Sequence, residues 1–121
     1  MMKDLKARTK DFALRIIRLY SSLSKATEAQ VLGKQLLKSG TSVGAHYWEA
    51  QRAKSDADFI SKTEGALQEV EETRYWLELL RDSGLVAAGK LNLLMREVDE
   101  LAAIFVSIVK TTKSRQSDKK K

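Results

Sequence analysis

The chain has 121 residues, 43% apolar and 31% charged, with a formal charge of +6, no proline, no cysteine and one histidine. That length makes a single domain able to bury roughly 65% of its unfolded surface, and the lack of cysteine excludes a disulfide scaffold, a thiolate metal site and a thiol nucleophile. No apolar run approaches the ~18 residues of a membrane span and the opening MMKDLKARTK lacks the apolar stretch of a secretory signal, so a cytoplasmic protein that does not enter a membrane is expected.

Helical spacing dominates the chain from its start. Leu5, Phe12, Ile16, Leu19 and Leu23 mark one face of a first helix over about residues 4–24, which the SKAT stretch at 24–27 interrupts. Thr27 with Gln30 three residues on has the form of a capping box and opens a second helix over 28–53, with Leu32, Leu36, Val43, Tyr47 and Ala50 on one side. Ser55 is the next cap, and Asp56 and Asp58 put negative charge where a helix N-terminus favours it. The third helix, 56–83, carries Phe59, Thr63, Ala66, Val70, Thr73, Leu77 and Leu80 at heptad-like steps, and Gly84 is placed to stop it. Leu91, Leu94, Val98, Leu101, Phe105 and Ile108 define a fourth helix over 87–112, after which the polar, lysine-rich residues 114–121 read as a flexible tail. Four long helices with short links predict an all-α, up-down-up-down antiparallel bundle over residues 1–113.

The positive charge belongs to the two ends: residues 1–18 carry a net +4, residues 110–121 a net +5, and the 91 residues between them a net −3. Antiparallel topology brings the start of the first helix, the second link and the end of the fourth helix to one pole. The candidate nucleic-acid contacts there are Lys3, Lys6, Arg8, Lys10, Arg52, Lys54, Lys110, Lys113, Arg115, Lys119, Lys120 and Lys121. The alternative for the tail is a solvated, solubilising extension.

A second pattern accompanies the apolar stripes. Gln35, Ser39, Ser42, His46 and Glu49 form a polar row on the second helix, and Asp58, Lys62, Gly65, Glu69, Glu72 and Trp76 form one on the third. Each lies about 100° from an apolar stripe. With the helices antiparallel about residue 55, residue numbers at equal height sum to about 110, which levels His46 with Glu64, Ser42 with Gln68 and Ser39 with Glu71. Three readings are open: a solvated face, a buried polar network or subunit interface that fixes register, or a catalytic site. Gly40 and Gly44 weaken helix propensity by roughly 1 kcal/mol each, which points to close packing at one of them.

Few chemistries fit these residues. A di-iron bundle needs two Glu-x-x-His pairs and further glutamates, whereas this chain has one His46-x-x-Glu49 and no glutamate on its first helix. The expectation is therefore no metal and no cofactor. The SGTSVG stretch at 39–44 resembles a phosphate loop in composition alone, because it falls within helical periodicity. The aromatic pairs Tyr47–Trp48 and Tyr75–Trp76 sit in acidic or neutral sequence and read as core or interface rather than base-stacking platforms. No helix-turn-helix, zinc-finger or RNP pattern is present, so any nucleic acid is held through phosphates and shape.

The segments QLLKSGTSVGAHYWEA (35–50), SDADFISK (55–62) and EVEETRYWLELL (69–80) together resemble a family of bacterial four-helix bundles encoded in intervening sequences of 23S ribosomal RNA genes and at other loci. The resemblance spans about residues 10–112. It departs at His46, where the family commonly has asparagine. It implies a four-helix bundle assembled as a ring-like homopentamer, and it places Gln35, Ser39, Ser42, Glu49, Lys62, Glu69, Glu72 and Trp76 on motif positions. Related accessory proteins of diversity-generating retroelements share the fold, bind nucleic acid through a basic surface and partner a reverse transcriptase. The expectation is a non-enzymatic, oligomeric nucleic-acid-binding protein, with RNA as its ligand, that contacts phosphates through the basic pole. The alternatives are a scaffold for a protein partner and an enzyme using the Glu49 and Glu72 carboxylates.

Overall fold

The computed structural model describes residues 4–119, so Lys3, Lys120 and Lys121 lie outside the described residues. Four α-helices follow one another: α1 (Leu5–Ser21), α2 (Thr27–Ala50), α3 (Asp56–Asp82) and α4 (Ala88–Lys119). No strand occurs among the described residues.

Local chemistry sets most of the boundaries. Asp4 caps α1 by accepting from the Lys6 backbone N–H at 3.2 Å, and Ser55 caps α3 by accepting from the Asp58 N–H at 3.0 Å. Asp58 in turn accepts from the Lys54 N–H at 3.2 Å, so the turn is closed from both sides. Gly84 adopts φ +78 just past α3, a left-handed conformation that costs glycine little.

Two expectations from the sequence are corrected. Thr27 does not cap α2, whose N-cap is Ala26 with no side-chain bond. Ser24 organises that turn instead: its Oγ accepts from the Ala26 N–H at 3.0 Å, and its carbonyl accepts from Gln30 Nε2 at 2.7 Å. The second correction concerns the polar C-terminal stretch, which is helical through Lys119. Within it Arg115 and Lys119 both reach Asp56, at 3.3 and 3.5 Å. The last turns of α4 thus have partners on the neighbouring helix that their composition does not reveal.

The core is one cluster drawn from all four helices, with Phe12, Ile16, Leu36, Val43, Val70, Leu77, Leu91, Leu101 and Phe105 fully buried. Consecutive helices run antiparallel, with the most extensive packing between α2 and α3 and very little between α1 and α4. Gly40 explains how α1 comes so close to α2: a Cβ there would lie 2.8 Å from Ile16 Cγ1. Thr9, Thr63, Thr73 and Thr112 are buried, and each hydroxyl bonds a backbone carbonyl of the preceding turn. That local bond lets threonine occupy an apolar stripe without an unsatisfied group.

Candidate functional site

Two surfaces gather the polar residues singled out by sequence. The first is the pole formed by the start of α1, the α2–α3 link and the end of α4. Here the structure divides the cations into two sets. Arg8 is engaged by α4: its Nε and Nη2 donate to the two Glu97 carboxylate oxygens at 2.7 Å each, and Nη2 also reaches Glu100 at 2.8 Å. This fork raises the guanidinium's proton affinity through Glu97 first, against the opposing effect of burial. Lys113 reaches Glu64 at 3.3 Å, and Arg115 and Lys119 share Asp56. Lys10, Arg52, Lys54 and Lys110 are exposed and make no side-chain ion pair among the described residues.

Lys6 takes a different partner. Its Nζ sits 3.8 Å from the centroid of the Trp48 ring, a cation–π geometry. Trp48 is 46% exposed, so of the core and interface readings its sequence setting allowed, the core one is excluded. One position along α2 turns a side chain by about 100°, which carries Trp48 outward while Tyr47 points in and meets Phe105 with ring centroids 5.9 Å apart. Between α1 and α2 a groove of about 550 Å³ is bounded by Lys6 and Lys10 on one helix and Thr41 and Trp48 on the other. In the Tyr75–Trp76 pair, Tyr75 is peripheral at 54% exposed and stands edge-on, with centroids 5.1 Å apart, to Trp76, which is partly buried against the core.

The second surface is the seam between α2 and α3, where the two polar rows meet. His46 Nε2 lies 3.4 Å from Glu69 Oε2, Lys62 Nζ lies 3.6 Å from Glu49, and the Ser39 and Thr73 hydroxyls share a hydrogen bond at 2.9 Å. His46 also covers Gly65, where a Cβ would come within 3.0 Å of its Nδ1. These pairs follow the predicted register to within a few residues, although His46 reaches Glu69 rather than its own-helix neighbour Glu49. Ser42 turns back onto its helix, donating to the Lys38 carbonyl at 2.7 Å.

Next to these pairs a recess of about 300 Å³ is lined by Gln35, Lys38, Ser39, Glu69, Glu72 and Trp76. Burial pushes the Glu69 carboxyl above its ordinary value, the hydrogen bond and negative charge of Glu72 add to the rise, and His46 opposes it. Among the described residues no three His, Asp or Glu side chains converge as a metal site would need. No helix is long and apolar enough to cross a membrane, again among the described residues.

Comparison with known proteins gives the same architecture. The chain is similar in structure to a protein of unknown function from the S23 ribosomal protein family of Bacteroides thetaiotaomicron VPI-5482, with a TM-score of 0.83 and 39% sequence identity over 88% of this chain and 99% of that one. No curated protein matches. The family model for 23S rRNA-intervening sequence proteins matches residues 3–107. The bundle, its motif-bearing α2–α3 seam and these matches agree: the chain belongs to the 23S rRNA-intervening sequence protein family.

Proposed function

We propose that this protein is a non-enzymatic, oligomeric nucleic-acid-binding bundle that holds the phosphates of RNA at its basic pole. One observation carries the reading: the antiparallel fold places Lys10, Arg52, Lys54 and Lys110, all exposed and without carboxylate partners among the described residues, at the same end of the molecule. Arg8 is not part of this set, because Glu97 and Glu100 hold it. Lys113, Arg115 and Lys119 contribute less than their charge implies, since Glu64 and Asp56 compete for them. Assembly multiplies the pole, so several weak phosphate contacts per subunit become one multivalent contact. RNA is preferred over DNA here because the family takes its name from ribosomal RNA intervening sequences.

Each neutralised phosphate contributes a log–log salt slope of about −0.7 on single strands and about −0.9 on duplex DNA. The test is RNA binding across a salt series for the wild-type protein and for a variant with Arg52→Ala, Lys54→Ala and Lys110→Ala. The variant is expected to bind at least tenfold more weakly at moderate salt, by analogy with about three lost phosphate contacts, and with a shallower slope. An unchanged slope would overturn the reading. Removing residues 113–121 should lower affinity by a smaller factor than the triple variant.

A second reading has its own support. Leu14 and Ile17 on α1, Val31 on α2, and Leu93 and Val106 on α4 are exposed apolar side chains, as on a scaffold covered by protein partners. Salt-insensitive retention of a protein, with no affinity for RNA, would favour this scaffold.

A further inference from the structure

We infer that the groove between α1 and α2 is a stacking site for an unpaired base of single-stranded nucleic acid, with Trp48 as the platform and Lys6 and Lys10 as the phosphate contacts. The inference rests on the basic-pole reading and gives it a specific site. Three features converge in the groove. Trp48 is left 46% exposed at the groove's edge, and an exposed indole offers a π-face that any base can cover. No carboxylate lines the groove, whereas Lys6 and Lys10 both do, so its local charge suits a phosphodiester. The remaining lining includes Ala13, Gly44 and Ala45, which leave about 550 Å³ of room.

The geometry also indicates how the ligand enters. Lys6 Nζ lies 3.8 Å from the Trp48 ring centroid, held by the ring's quadrupole in the absence of a base. A lysine head on four rotatable carbons can leave that face for a neighbouring phosphate when a base stacks. Duplexes keep their base faces covered, so the occupant is single-stranded. Sequence preference should be weak, because the two lining hydroxyls already donate to their own helices: Thr9 to the Lys6 carbonyl at 3.0 Å and Thr41 to the Leu37 carbonyl at 2.8 Å. The lysines and the Trp48 indole N–H are then the donors left to the ligand, and the lysines contact phosphate rather than base edges.

The experiment compares oligouridylate, oligothymidylate and inorganic polyphosphate, which has charge without bases, as ligands of the wild type, Trp48→Phe and Trp48→Ala. Oligonucleotide should quench the tryptophan fluorescence of the wild type. In Trp48→Phe, which keeps a stacking ring and leaves Trp76 as the reporter, quenching should disappear while most of the affinity remains. Trp48→Ala should weaken oligonucleotide binding by about five- to 150-fold, the range for one stacked base, and leave polyphosphate binding unchanged. Circular dichroism establishes that each variant is folded, and the loss of quenching between the wild type and Trp48→Phe tests the site even if Trp48→Ala is not; quenching that persists in Trp48→Phe overturns it. Salt-sensitive oligonucleotide binding without quenching, or equal losses for oligonucleotide and polyphosphate, overturns the stacking site and leaves the basic pole standing. No binding of any polyanion overturns both.

Discussion

Ser39 on α2 and Thr73 on α3 share a hydrogen bond at 2.9 Å inside the protein, with 2% and 0% of their surfaces exposed. Thr73 lies on the apolar stripe of α3 and Ser39 on the polar row of α2, so the bond stitches the core to the seam. Each hydroxyl has a backbone alternative: the Glu69 carbonyl 2.7 Å from Thr73 and the Leu36 carbonyl 3.3 Å from Ser39. Thr73→Val keeps the shape and leaves Ser39 with the longer bond, at a cost of about 1 kcal/mol. Ser39→Ala should cost less, because Thr73 keeps its 2.7 Å partner. The double variant should cost less than the two single effects added, with a coupling of about 1 kcal/mol. Urea unfolding of the four proteins measures it, and strict additivity would show that the bond contributes nothing.

The Arg8 fork ties together two helices that otherwise barely touch. Arg8 and Glu97 are 22% and 13% exposed, so the pair is partly shielded from water. Replacing Arg8 by leucine strands a half-buried carboxylate, and the expected loss is about 1–3 kcal/mol, above a surface ion pair and below a fully buried one. Arg8→Lys should recover only part of it, because an ammonium cannot bond both Glu97 oxygens and Glu100 in the same planar arrangement. Hydrogen exchange should quicken in the first turns of α1 before anywhere else in the bundle. Wild-type stability in both variants would show the fork to be incidental.

Which parts of this structure the sequence disclosed follows from how local their causes are. Ser55 and Gly84 act within a few residues of themselves, and both were legible as helix boundaries. The apolar periods of all four helices were legible for the same reason, except at the start of α3, where Ile60 rather than Phe59 is buried, as was the antiparallel register of α2 on α3 once the link between them was located. What stayed hidden depends on distant partners. The end of α4 is held by Asp56 and Glu64, 59 and 49 residues before the cations they bind, and composition alone makes those residues a loose tail. Arg8 meets Glu97 across 89 residues, so it was indistinguishable from its lysine neighbours. The core-or-interface reading of the Tyr47–Trp48 pair divides between its members: Tyr47 packs against the core, whereas Trp48 is exposed in the single chain. The signal that could have placed Trp48 is its helical angle, which sets it beside Gly44 and Ala45 on the side of α2 turned toward Lys6 and Lys10.

Glu69 makes the seam pH-sensitive in a defined direction. Its folded carboxyl titrates above the ordinary range, chiefly through burial and then through Glu72, with His46 pulling the other way. Below the ordinary carboxylate value Glu69 is protonated in both states and its favourable contribution is fully present. As pH rises, the unfolded chain ionises first, and the contribution is lost by the time pH passes the raised folded value. Glu69→Gln removes the titration while keeping hydrogen-bonding capacity. Its stability relative to the wild type should therefore increase from about pH 4 toward neutrality and then level off. Chemical unfolding at several pH values checks the sign. A variant that loses ground as pH rises would mean that the attraction of His46 outweighs burial and Glu72.

The exposed side of the seam leads to a prediction about assembly. Glu72 is exposed in the single chain beside the half-buried Trp76, and both line the recess with Gln35 and Lys38. Motif residues grouped around an open recess are placed as a self-association surface would be, and a homopentamer of the 13.6 kDa chain would have a mass of about 68 kDa. Light scattering should give that mass at micromolar concentration. Glu72→Lys sets a positive charge next to Lys38 at the same recess, and like charges brought together under a subunit interface disfavour it strongly. The variant should dissociate toward monomer while its helical content stays unchanged. Asp99→Lys is the control: it lies on α4, away from the recess, where it pairs with Arg74, and it should leave the mass alone. If Glu72→Lys retains the wild-type mass, the polar rows serve the α2–α3 contact within one chain, and the subunit contacts must be sought among the exposed apolar residues of α1 and α4.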